Sequence, residues 1–124
     1  MERVDIKSYR DLLVWQMAMD LAALCYSLTR SFPKDELFGM TSQIRRASAS
    51  IAANIAEGHG REHSGSFIQF LRIAQGSLKE TETHLLLAAR VALVAQGDIK
   101  PAIEKCEEIG KMLRSLIRAI QDKK

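Results

Sequence analysis

A chain of 124 residues with 47% apolar content can build one domain, taken as 1–124, with a real core. A net charge of +3 is mildly basic, far below a histone-like tail, so it permits nucleic-acid contact without requiring it. Two prolines, seven glycines and 6% aromatic residues speak against a sheet, and no run nears the ~20 apolar residues of a membrane span.

Residues 1–10 are polar and aperiodic, and read as an arm ahead of the first helix, with Tyr9 stapled onto it. The charged start, MERVDIKSYRD, lacks the apolar segment of a signal peptide, so a cytoplasmic location is expected. Asp11 is the expected N-cap of a helix over 11–31. That helix is apolar on two sides: Trp15, Met19, Ala22 and Tyr26 on one, Val14, Leu21, Cys25 and Leu28 on the other. So much apolar surface belongs in the middle of a large core or at a subunit interface, and a domain of this size has no such middle. An oligomer is therefore expected.

Phe32-Pro33-Lys34-Asp35-Glu36 stops one helix and starts a short turn, and Gly39 bends the chain before Thr41 or Ser42 caps the next. The second helix, over 42–59, has three faces. Ile44, Ile51 and Ile55, with Ala47 and Ser48, make an aliphatic face. Ala49, Ala52, Ala53 and Ala56 make a face of methyl groups. Arg46, Ser50, Asn54, Glu57 and Arg61 make a polar strip. Gly58 and Gly60 are the expected terminators, free to take a left-handed turn.

Ser64 or Ser66 is the expected cap of a third helix over 65–96, about 45 Å long at 1.5 Å per residue, with Gly97 ending it. Its core stripe is Phe67, Leu71, Ala74, Leu78, Leu85, Ala89 and Ala92; Phe70, Ile73, Leu87 and Val91 form a second apolar stripe. Asp98 is the expected cap of a fourth helix over 99–121, with Pro101 in its first turn. Here Ile99, Ala102, Cys106, Ile109, Leu113, Ile117 and Ile120 give one stripe, and the other side alternates acids and bases. Short connections make successive helices antiparallel neighbours, so the expected fold is all-α, an up-down-up-down four-helix bundle.

Nothing in this order of residues reads as catalytic. His59 and His63 have metal spacing, but glycines intervene and no acid or thiol completes a ligand set with them or with His84; loop-exposed histidines are expected, with no metal or cofactor. Gly58-His59-Gly60 follows a helix and lacks the lysine of a phosphate loop. Cys25 and Cys106 sit in apolar patterns and read as buried thiols. Arg46, Ser50, Asn54, Glu57 and Gly58 read first as a hydrogen-bonded strip fixing helix register or subunit orientation, and second as a ligand or nucleic-acid site. The cations are more suggestive. Arg72, Lys79 and Arg90 fall on one line of the third helix, and Arg45, Arg46 and Arg61 add to the second. Repeated by symmetry, they would form a basic surface for a phosphate backbone. The oligomer surface is expected from Trp15, Met19, Tyr26, Ala49, Ala53, Phe70, Ile73, Leu87 and Val91.

The run Gln43-Ile44-Arg45-Arg46-Ala47, Ser50-Ile51, Asn54-Ile55-Ala56-Glu57-Gly58 resembles the bacterial four-helix-bundle proteins encoded in intervening sequences of 23S rRNA genes. Leu12 to Trp15 with Ala18, Tyr26, Phe32-Pro33 with Glu36, Phe70-Leu71, Ala74 and Gly76-Ser77-Leu78 extend the likeness over most of the chain. The resemblance implies a ring-shaped homopentamer. It also implies association with RNA or DNA and, through the related accessory variability protein of diversity-generating retroelements, with a reverse transcriptase. Two functions follow as expectations: a non-enzymatic, RNA-associated oligomer, or a scaffold ring that docks a protein partner. Neither involves a membrane or a small-molecule substrate.

Overall fold

The structure is a computed structural model that describes residues 6–123. Four long helices account for most of it: α1 (Leu13–Thr29), α2 (Ser42–His59), α3 (Ser64–Arg90) and α4 (Gln96–Asp122). Each packs on its sequence neighbour, and α4 closes back on α1. The result is the expected antiparallel four-helix bundle, with no strand among the described residues. One end gathers the start of α1, the end of α2, the start of α3 and the end of α4; the other end gathers their opposites.

The core is aliphatic. Val14, Ala18, Leu21 and Cys25 of α1 meet Ile44, Ile51, Ala52 and Ile55 of α2, Leu71, Ala74, Leu78, Leu85 and Ala88 of α3, and the full expected stripe of α4 from Ile99 to Ile117. Burial of these side chains drives assembly, at roughly 1.5–3 kcal/mol for each large one.

Several helix ends differ from the sequence reading. The part of the N-terminal arm before Ile6 lies outside the described residues. Asp11 does not cap α1. It accepts from the backbone N–H groups of Lys7 and Ser8 and closes a short 3₁₀ turn, Tyr9–Asp11, which also holds its carboxyl below the usual range. Tyr9 does reach the first helix, edge-on to Trp15 with ring centroids 5.2 Å apart. After α1 come a 3₁₀ turn, Lys34–Glu36, and a wider turn, Leu37–Thr41, bent at Gly39 (φ −108°, ψ −114°). Glu36 caps that turn, its carboxylate accepting from Met40 N–H at 3.0 Å, and Thr41 takes the N-cap position of α2 as expected, without a side-chain hydrogen bond. His63 caps α3 in place of a serine, its Nδ1 accepting from Ser66 N–H at 3.3 Å.

The third helix ends at Arg90, six residues before the expected Gln96. Ala92 turns it off with a positive φ of 65°. Leu93 N–H then donates to Ala88 C=O at 2.9 Å, and Ala92 N–H to Ala89 C=O at 3.1 Å, which caps the last carbonyls. Ala92 therefore leaves the expected core stripe and is exposed. The fourth helix starts earlier than expected. Ala95 is its N-cap, Gly97 and Asp98 lie within the first turn, and Pro101 follows in the second. Asp98 still favours the positive helix end.

Gly58 has another role than the one expected. It lies inside α2, buried, with no positive φ. A β-carbon there would stand 2.6 Å from Phe70 Cβ and 3.1 Å from Phe67 Cδ1. Its hydrogen is what lets α2 and α3 close together at that end. The methyl face of α2 is also split: Ala52 is in the core and Ala56 half-buried, whereas Ala49 and Ala53 face out.

Candidate nucleic-acid interface

The core positions of α3 fix where its cations go. Leu71, Ala74, Leu78, Thr81, Leu85 and Ala88 point inward, so Arg72, Lys79 and Arg90 share the exposed side. From Arg72 to Arg90 the line is about 27 Å long at 1.5 Å per residue. Lys79 Nζ makes an ion pair with Glu82 at 3.2 Å, and Arg72 Nη1 donates weakly to Gln75 Oε1 at 3.5 Å. Exposed contacts of this kind are worth about 1 kcal/mol or less. An incoming phosphate can displace them.

Two further cations, absent from the sequence reading of the site, complete this side. Arg114 and Arg118 follow directly on the core residues Leu113 and Ile117 of α4, at the edge of its stripe nearest α3. With Arg72, Gln75, Ile117 and Gln121 they line a groove of about 170 Å³. Two arginines one helical turn apart repel each other, at a cost of ~0.2–0.5 kcal/mol. The sequence signal was available: two like charges at i, i+4, each beside a buried stripe residue. What it lacked was the register of α4 against α3.

The other expected cations are dispersed. Arg45 is committed to the fold: its Nε donates to Thr29 Oγ1 at 2.9 Å, and its guanidinium lies 4.6 Å from the centre of the Tyr26 ring. Arg61 pairs with Glu57 at 3.1 Å and stacks over Phe70 at 5.0 Å, at the same end of the bundle as Arg72. Arg46 borders a shallow groove between α2 and α3 with Gln43, Ser50 and Glu80, whose carboxylate disfavours an anion. Arg90 stands at the far end, beside a larger groove with Thr83, Leu86, Leu87 and Gln96. The six do not form one site.

The polar strip divides in the same way. Asn54 Nδ2 donates to Ser50 C=O at 2.8 Å and to Ser50 Oγ at 2.9 Å, and that hydroxyl shares a hydrogen bond with Ser77 Oγ of α3 at 2.9 Å. These hydrogen bonds make a polar cross-link between α2 and α3. Glu57 and Arg61 pair in solvent and stand apart from it.

Among the described residues no cluster of three or more His, Cys, Asp or Glu side chains could hold a metal. His63 is exposed in the connection between α2 and α3, as expected, whereas His59 and His84 lie within helices. His59 stacks edge-on against Phe67, His63 caps α3, and His84 lies half-buried with Nε2 3.6 Å from Glu80. Its Nδ1 is the one buried side-chain polar atom without a partner among the described residues. The thiols are in the core, and burial pushes Cys25 up to about 11 and Cys106 up to about 12.

The expected oligomer residues fall into two groups. Trp15 and Phe70 are half-buried within the chain, against Tyr9 and Arg61. Met19, Tyr26, Ala49, Ala53, Ile73, Leu87 and Val91 are exposed; Met19 and Ile73 show 46% and 49% of their surface. Sequence reading missed Phe38, which is 92% exposed on the turn between α1 and α2, beside the half-exposed Leu37.

The fold and surface define a small helical bundle with one cation-lined side and several uncovered apolar residues. Residues 10–115 match the family model described as 23S rRNA-intervening sequence protein, and the chain belongs to that family. It is also similar to a protein of unknown function from the S23 ribosomal protein family of Bacteroides thetaiotaomicron VPI-5482, whose crystal structure has been solved. The two are 29% identical, with a TM-score of 0.76 over 85% of this chain and 98% of that one. No curated protein matches the chain.

Proposed function

We propose that this protein is a non-enzymatic, oligomeric bundle that associates with RNA in the cytoplasm through the cations of its α3 side. The observation that carries this reading is the exposed line Arg72, Lys79 and Arg90, flanked on α4 by Arg114 and Arg118. Such a surface binds phosphates with little regard to sequence and weakens steeply as salt rises. Catalysis has no part in the reading. Among the described residues no helix is long and apolar enough to cross a membrane. The test is a charge reversal, Arg72→Glu with Lys79→Glu and Arg90→Glu. Binding to a structured RNA should be lost while sedimentation and melting stay as in the wild type; unchanged binding would overturn the assignment.

The exposed apolar residues Met19, Tyr26, Ile73, Leu86, Leu87 and Val91 favour a second reading, a scaffold ring that docks a protein. A ring of five copies and a reverse transcriptase as partner, implied by the sequence resemblance to the accessory proteins of retroelements, belong to that reading. No RNA binding at low salt, with capture of such a partner, would favour it over the first.

A further inference from the structure

We infer that the groove between α3 and α4 lined by Arg72, Arg114 and Arg118 is a phosphate-binding seat, in which the protein holds the backbone of a structured RNA. The inference rests on the RNA-associated reading and gives it a definite site, two of whose three cations that reading had not assigned from sequence. Every polar side chain lining the groove is a guanidinium or a carboxamide; none is a carboxylate. Among the described residues, the three arginines form no ion pair. Of their many N–H donors, the contact of Arg72 with Gln75, at the outer limit of a hydrogen bond, is the one made to a neighbouring side chain. Three planar forks with free donors, arriving from two helices, suit the several oxygens of a phosphate and its charge. The floor is the buried Ile117.

Size argues for a polymer over a small ligand. The groove, about 170 Å³ and open to solvent, is smaller than the roughly 300 Å³ at which enclosing small-molecule pockets begin, so it has room for a phosphate and leaves the rest of the ligand outside. The rest of the ligand must then run outside the groove, and there the cation line continues along α3 through Lys79 to Arg90.

The experiment uses the full chain and a fluorescently labelled hairpin RNA, with binding followed across a series of salt concentrations. Arg114→Gln with Arg118→Gln should weaken binding about tenfold or more, and the log–log salt dependence should become shallower by about two. Lys7→Gln with Lys34→Gln removes the same charge from exposed sites on the α1–α2 side of the bundle, away from α3, and should change affinity less than about threefold. Far-UV circular dichroism and sedimentation check that each variant keeps its fold and mass. Unchanged affinity in the arginine variant, or an equal loss in the lysine variant, would overturn the seat. If the wild type binds no RNA at low salt, the RNA-associated reading fails, and inorganic pyrophosphate then decides the groove. A saturable rise in melting temperature that the arginine variant lacks would support a seat for a small phosphorylated ligand. No rise would overturn the seat as well.

Discussion

Gly58 shows how little room separates α2 from α3 near their junction. An alanine methyl there would meet the β-carbon of Phe70, which sits on a helix backbone and cannot swing aside. We expect Gly58→Ala to destabilise the chain by about 1–3 kcal/mol in urea unfolding, despite the better helix propensity of alanine. Gly76 is the control: it is exposed in mid-α3 with nothing near its missing methyl, so Gly76→Ala should stabilise by up to about 1 kcal/mol. Glycine serves both tight turns and close contacts, and from sequence a glycine near a helix end reads as the first. The structure makes Gly58 the second. Arg45 misled in a similar way. Its charge was legible, but Thr29 and Tyr26, which hold it, come from another helix.

The fourth helix could be read almost residue by residue, because one stripe at helical spacing admits one burial pattern. The end of the third could not. The apolar run Val91–Ala95 continues the helical pattern, and nothing in an alanine announces a positive φ. Ala92 takes that conformation because the two capping hydrogen bonds and the packing of Leu93 against the core fix the turn around it. An L-residue with a β-carbon bears a strain there of about 1 kcal/mol, which glycine escapes. Ala92→Gly should therefore raise stability by roughly that amount, seen as a higher melting temperature with unchanged helix content. A lower melting temperature would mean that the greater freedom of glycine in the unfolded chain outweighs the relief.

For the whole molecule, the sequence gives the number and order of the rods but not the relation of their outer surfaces. The groove of Arg72, Arg114 and Arg118 exists because α3 and α4 meet at one register, which composition and spacing do not encode. The oligomer expected from excess apolar surface makes a separate prediction. Ala53 is exposed in the single chain, so a larger side chain there has room within the bundle. If the small face of α2 lies between subunits, Ala53→Leu should leave thermal unfolding of the bundle nearly unchanged and shift sedimentation to a smaller species. Wild-type mass in the variant would remove Ala53 from any subunit contact.

The two core cysteines carry one last implication. Thiolate is the species that attacks alkylating agents and peroxide, and the folded chain at neutral pH holds almost none of it. Both sulfurs are also shut away from reagent by their helices. Modification therefore waits for the bundle to open, so the rate at which the native protein takes up a maleimide is a clock for its own breathing, with no label added to the surface.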